Sequence, residues 1–236
     1  MTERPVFPPL LSGLAAQSLA DPFDVACAQA RAGVDAGLIV HSVGADSLKA
    51  AIILAPDVPL AEAMVMFPVC GIGIQNALGA LAPPEVAVHL DWTGPIRLNG
   101  AKCGKMRAAA ASVDVNAVPD WLVIGFEVAV MPIGDNPGET PDMTSLYEEG
   151  CAEIDPMQLL ESWARHTLVW INRWGDGEVR NIHNEWVGLV HGVGSQVQMS
   201  GMNGTFIGVD EQFGMLLKQD DDTRLLPLTT LLETGL

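Results

Sequence analysis

An α+β fold, with a mixed and largely antiparallel sheet flanked by helices and a small β module at the end, is what this sequence predicts. Three observations lead there. Four strand-like runs, "EVAVHLDW", "PIRLNG", "KCGKMRAAAASV" and "WLVIGFEVAVMP", follow in close succession between residues 85 and 132. Helical patterns lie on both sides of them. After Gly194 the texture changes to short strands cut by turns.

Residues 5 to 14 are proline-rich and read as an extended surface arm. "DPFDVACAQARAG" offers Asp21 as N-cap, Pro22 at the first helical position and Gly33 as the stop, so it reads as a helix. "GLIVHSV" and "KAAIILAP" are apolar runs closed by glycine or proline and read as two strands. A long helix fits Pro59 to Leu81, with Pro68 expected to kink or split it. In the next block Asn99-Gly100 joins two alternating runs, a strong short-range hairpin signal. The expected arrangement is an antiparallel meander with this hairpin near an exposed edge. Residues 133 to 156 are acidic and turn-rich, a loop with room for one short helix. "DPMQLLESWARHTLVWINRWGDG" is the clearest amphipathic helix, and "VRNIHNEWVGLV" reads as a shorter one. "SQVQMSG", "GTFIGVD", "FGMLLKQ" and "TRLLPL" then make a small barrel-like module of the SH3 type. The expected domains are 1–194 and 195–236.

Composition narrows the function. Nearly half of the 236 residues are apolar and the formal net charge is −17. Nucleic acids and anionic membranes both need a basic footprint, so neither is an expected partner. The N-terminus shows no basic region leading into a long apolar run, and Glu62, Pro68 and three glycines interrupt the most apolar stretch. Neither a signal peptide nor a membrane span is expected, and a cytoplasmic location is the default. Cys27, Cys70, Cys103 and Cys151 are scattered without metal-ligand spacing, and His183 and His191 lack companions, so no metal site is expected. "GIGIQN" has Asn76 where a dinucleotide fingerprint wants its third glycine and lies in a helical pattern, so its glycines read as packing positions. Lys102 beside Cys103 would activate a thiol only if the two met, and neighbours in a strand point to opposite faces.

The basic hairpin is the exception to the acidic chain. Arg97, Lys102, Lys105 and Arg107, four of the twelve basic residues, fall within eleven positions. They read either as protection of an edge strand or as a seat for an anionic ligand.

The pattern W-x-x-P-I-x-L-N-G-x-K-x-G-K, then "LVIGFEVAVMP", then "TSLYEEG…DPMQLLESWARHTLVWINRW", then "GTFIGVDEQFGMLLKQDDDTRLLPL", resembles the biotin and lipoate protein ligases from about residue 20 onward. The resemblance implies a fold like that of the class II synthetases and biotin protein ligases. It implies ATP with Mg and biotin or lipoate as cofactors, a small carboxylic acid as ligand, activation through an acyl-adenylate, and transfer to a lysine of a carrier protein. Lys102 matches the family's catalytic lysine, whose ammonium would stabilise charge building on phosphorus. Trp92, Arg97, Asn99, Gly100 and Gly104 are the ligand-binding candidates, Gly104 because it would leave the backbone open to a ligand. An edge-paired homodimer is the assembly it brings to mind. Three departures are visible. The Gly-Arg-Gly-Arg-x-Gly loop has become "HSVGADSLKAA". The Lys-Trp-Pro-Asn-Asp segment has become Asp91-Trp92-Thr93-Gly94-Pro95, and Gly-x-Gly-x-Asn has become Gly125-Phe126-Glu127-Val128-Ala129. They support two alternatives to catalysis: a non-catalytic small-acid-binding protein on a ligase fold, and an interaction scaffold.

Overall fold

The computed structural model describes residues 4–17, 19–132, 140, 142–199 and 201–233. Residues 133–139 and 141 of the acidic loop expected at 133–156 therefore lie outside the described residues.

The strand with the least polar sequence takes the centre. β7 (Leu122–Ala129) is flanked by β3 (Ser47–Leu54) and β6 (Ala101–Ala110), and an apolar run of this kind is most stable where both faces are covered. Around them lie β1 (Ser12–Ala15), β2 (Leu38–Val43), β4 (Val88–Asp91), β5 (Pro95–Leu98) and the two-residue β8 (Val190–His191). The eight strands run in the order β1-β2-β3-β7-β6-β5-β4-β8. Among these eight strands, β1–β2 and β4–β8 pair in parallel and the other pairs are antiparallel. β4, β5, β6 and β7 pair consecutively and antiparallel, the expected meander, but the expected exposed edge is corrected. The β5–β6 hairpin is not an edge, because β7 covers β6 on one side while β4 and β8 lie beyond β5. β1 and β8 had no alternation to reveal them; β1 is exposed at all four positions, and its pairing comes from the neighbouring strand.

One sheet face carries the main core. Leu48, Ala50, Ile52, Ala108, Ile124, Phe126 and Val128 pack against α3 (Met66–Leu81), α4 (Pro156–Gly175) and α5 (Val179–Leu189). The opposite face is covered in part by α1 (Pro22–Arg31), which packs Phe23, Ala26 and Cys27 on Val40, Ala51, Ile53 and Val123. Asp21 caps α1 through the amide of Phe23, at 2.8 Å, and Asp155 caps α4 in the same way through Met157.

The expected break in the long apolar helix falls before Pro68 and not at it. α2 (Leu60–Ala63) ends, the chain turns through Met64 and Val65, and α3 begins at Met66, which puts Pro68 in a first turn that tolerates it. Leu60–Leu81 is long and apolar enough to cross a membrane, yet 72% of its most apolar window is buried inside this fold, as a core helix. The glycines of "GIGIQN" are contact points. A Cβ on Gly71 would meet Leu90 and Trp186 at 3.0 and 3.1 Å, and one on Gly73 would strike the Thr167 hydroxyl of α4. Asn76 accepts a hydrogen bond from Trp170 Nε1 at 2.8 Å, and Trp163 Nε1 donates to the Cys70 carbonyl at 3.2 Å. These bonds tie α4 to α3.

The C-terminal strands β9 (Gln196–Met199), β10 (Met202–Val209), β11 (Met215–Gln219) and β12 (Asp222–Leu226) form a separate antiparallel sheet in the order β12-β11-β10-β9. Phe206, Phe213, Met215 and Leu217 join the main core, so the two sheets share one apolar interior.

Gly73→Ala tests the closest helix contact. Alanine favours an isolated helix by about 1 kcal/mol, but overpacking against Thr167 costs roughly 1–3 kcal/mol. The expected result is net destabilisation in urea denaturation, whereas a stabilised variant would show that α3 and α4 are free to separate.

Candidate functional site

The hairpin is built as its sequence implies. Asn99 and Gly100 both take positive φ, 48° and 94°, the pair of angles that a tight Asn-Gly turn needs. A bulge follows at once. Ile96 pairs with Gly104 and Arg97 with Lys102, so Cys103 is the extra residue. Arg97 and Lys102 therefore share the face opposite the main core, while Cys103 is buried in that core. Burial pushes the Cys103 thiol up to about 12, so it is no nucleophile at neutral pH.

Each hairpin cation has a carboxylate against it. Arg97 makes a forked pair with Asp91, at 2.6 and 2.9 Å, and donates to the Gly100 carbonyl at 2.6 Å. Asp91 also lies 3.3 Å from His191 Nδ1. Lys102 has the most exposed partner, its Nζ lying 3.7 Å from Asp142. Its backbone receives the 142–144 segment: its amide donates to the Asp142 carbonyl, and its own carbonyl accepts from Thr144. Lys105 stands directly across from Glu127, and Glu127 directly across from Lys49, with Nζ–carboxylate distances of 4.0 and 3.0 Å. Arg107 is encircled by Asp21, Asp24 and Glu233, stacks on the Phe23 ring at 4.1 Å, and is held firmly protonated by Glu233 above all.

The other sequence candidates occupy different surroundings. Trp92 is buried, and its Nε1 donates to the Phe213 carbonyl at 2.7 Å, which joins the two sheets. Trp92 and Arg97 meet in a cavity of about 200 Å³ with His191 and Phe206, between the hairpin and the C-terminal sheet. Asn99 points away from that cavity's lining: its Oδ1 accepts from Ala87 and its Nδ2 donates to Glu149. At Gly104 the space a Cβ would need is filled by the Glu127 carbonyl, so this glycine serves strand approach and not an open backbone. Thus only Trp92 and Arg97 share a cavity; Lys102 neighbours Arg97 across the strand pair. The ring of Asp21, Phe23, Lys49, Glu127 and Glu233 around Arg107 was not foreseen. Glu127, the one charge in an otherwise apolar strand, was its sequence signal.

The connection between β2 and β3 is only Gly44, Ala45 and Asp46, closed by a hydrogen bond from the Gly44 amide to the Ser47 carbonyl at 3.0 Å. A cleft of about 740 Å³ lies beside β2, lined by Arg4, Leu14, Ala15, His41, Val43 and Met157 among others. His41 is buried there, with Nδ1 lacking a hydrogen-bond partner. Among the described residues no cluster could hold a metal ion.

A helix-backed antiparallel sheet with a lysine-bearing hairpin and a small β module defines the class of biotin protein ligase-like proteins. The model of the biotin/lipoate A/B protein ligase family matches residues 7–188, and a domain of unknown function (DUF4444) matches residues 193–234. This chain belongs to the biotin/lipoate A/B protein ligase family. It is similar to a biotin protein ligase-like protein of unknown function from Silicibacter sp. TM1040, at 59% identity and TM-score 0.93, over 98% of this chain and 100% of that one. Biotin protein ligase from Aquifex aeolicus shares the fold at 16% identity and TM-score 0.70, over 92% and 94% of the two chains. The same enzyme in complex with biotin and ATP matches at 14% identity and TM-score 0.68, over 91% and 95%. No curated protein is significantly similar in sequence.

Burial depresses the pKa of His41, and burial followed by the Arg165 charge depresses that of His166. The unfolded chain therefore binds more protons than the folded one below the ordinary histidine value near 6.5, and stability falls as pH drops from there. The slope approaches about 1.4 kcal/mol per pH unit for each histidine. Urea denaturation between pH 7 and 5 should show this loss, with a shallower slope in His41→Gln; an unchanged slope would place the effect elsewhere.

Proposed function

We propose that this protein binds a small carboxylic acid of the biotin or lipoate type on its ligase fold, at Lys102, without activating it with ATP. The observation that carries this reading is the pattern of charge on the hairpin's open face. Arg97, Lys102, Lys105 and Arg107 each face protein carboxylates, which is how a surface accommodates carboxylates singly and not a triphosphate. The three-residue β2–β3 turn adds no arginine and no glycine-rich loop to grip phosphates. Lys102 is the seat because Asp142 is the most exposed of the hairpin's acidic partners, and so the one that an incoming acid exchanges most readily.

A second reading, ATP-dependent activation with Mg and transfer to a carrier lysine, draws on the same ammonium. A retained lysine at the hairpin tip is what stabilisation of a phosphorane needs.

Calorimetry with biotin, lipoate and octanoate, alongside ATP–pyrophosphate exchange, separates the two. The expected outcome is acid binding that weakens about tenfold, ~1.4 kcal/mol, in Lys102→Ala, with no pyrophosphate exchange. Exchange that disappears in Lys102→Ala would establish the second reading, and absence of both signals would exclude both.

A further inference from the structure

The last described residues of the chain reach Arg107. A 3-10 helix, Leu228–Leu231, leads into Leu232, which bridges Ala108 in parallel, and the Glu233 amide donates to the Ala108 carbonyl at 2.8 Å. This segment takes the flank of β6 that β5 leaves open, since β5 pairing stops at Lys105. The Glu233 carboxylate then forks onto the Arg107 guanidinium, 2.7 Å from both Nε and Nη2. We infer that Arg107 is a carboxylate seat distinct from Lys102, which the chain's own Glu233 fills, and that an external monocarboxylic acid binds there by displacing Glu233.

Arg107 does not depend on Glu233 for charge balance. Asp21 and Asp24 lie 3.3 and 3.4 Å away. With Lys49, Lys105 and Glu127, the cluster holds three cations and four carboxylates while Glu233 is docked, and three of each when it leaves. A single external carboxylate restores the present state. A phosphate dianion would add a further uncompensated charge in a half-buried place, so the seat selects monoanions.

The guanidinium is held ready for such an exchange. Phe23 stacks on it from α1, and Gly125 beneath allows that ring to lie flat against the sheet, since a Cβ there would come within 2.6 Å of Phe23 Cδ2. With Glu233 docked, the adjoining cavity between Phe23, Phe126 and Lys49 is only about 10 Å³. Leu231 and Leu232 are partly buried against the main core, on the sheet face opposite the seat, so it is the Phe23 ring that lies beside a carboxylate held by Arg107. Outside the forked pair, one backbone hydrogen bond holds Glu233, whose side chain is 36% exposed.

Lys102 and Arg107 are four register steps apart once the bulge is allowed for, roughly 13 Å, which lets one experiment judge the two seats separately. Full-length protein is followed by hydrogen exchange of the 228–233 segment during titration with sodium octanoate, with calorimetry in parallel. Octanoate should speed exchange of that segment in the wild type and in Lys102→Ala, while inorganic phosphate should leave it protected. Glu233→Gln should exchange rapidly without ligand and bind octanoate about tenfold more tightly. Arg107→Gln should lose the response; if that variant does not fold, Glu233→Gln still decides the matter. A segment whose exchange is unchanged at saturating octanoate, or a Glu233→Gln variant that binds no more tightly, overturns the inference. Binding lost in Lys102→Ala with an unmoved segment would leave the Lys102 reading standing alone, and segment release that ignores Lys102 would do the reverse.

Discussion

Glu127 sets the terms for the rest of the open face. It is the single charged residue of β7, and β7 must lie at the centre of the sheet because every other side chain in it seeks burial. A carboxylate fixed there is stable only with opposite charge on its neighbours, and the register supplies it: Lys49 on β3 and Lys105 on β6, each directly across. Once those lysines are committed, the remaining cations of the hairpin fall to Asp91, Asp142 and the Asp21–Asp24–Glu233 ring. A chain with more than twice as many acids as bases thereby holds its positive charge in one place without leaving it free.

This arrangement separates the protein from its fold. The Aquifex aeolicus ligase complex with biotin and ATP has the same architecture, but at 14% identity the likeness speaks for shape alone. What this chain does with the shape depends on local groups. Asp91, which stands where the family pattern has a lysine, is the fork on which Arg97 rests. Glu127, where the pattern has a glycine, spans two lysines. The short β2–β3 turn replaces a long basic loop. All three changes exchange a place for a bound anion for an internal carboxylate or for nothing, and the proposed acid-binding reading rests on that pattern.

The same trade explains why the two sheets do not behave as independent bodies. Trp92 reaches across to the Phe213 carbonyl, Phe206 and Leu217 enter the common core, and Glu233 returns to β6. The site candidates near the hairpin are thus coupled to the C-terminal module by packing as well as by charge.

Sequence alone determined the helices and most of the strands, because caps, periodicity and the Asn99-Gly100 turn are local signals. It also located the clustered charge, and through the order of its motifs the family. It did not reveal β1 or β8, whose exposed or two-residue strands carry no pattern, nor the insertion of β7 between β3 and β6. Nor did it show that a bulge at Cys103 brings Lys105 and Arg107 onto the face that Lys102 and Arg97 share, that Trp92 is an inter-sheet contact, or that Gly104 serves strand approach. The partners of Arg107 come from positions as far apart as Asp21 and Glu233. Such pairings depend on which strands become neighbours, and that is decided by burial of the whole chain, so only the tertiary structure could settle which charges are already spoken for.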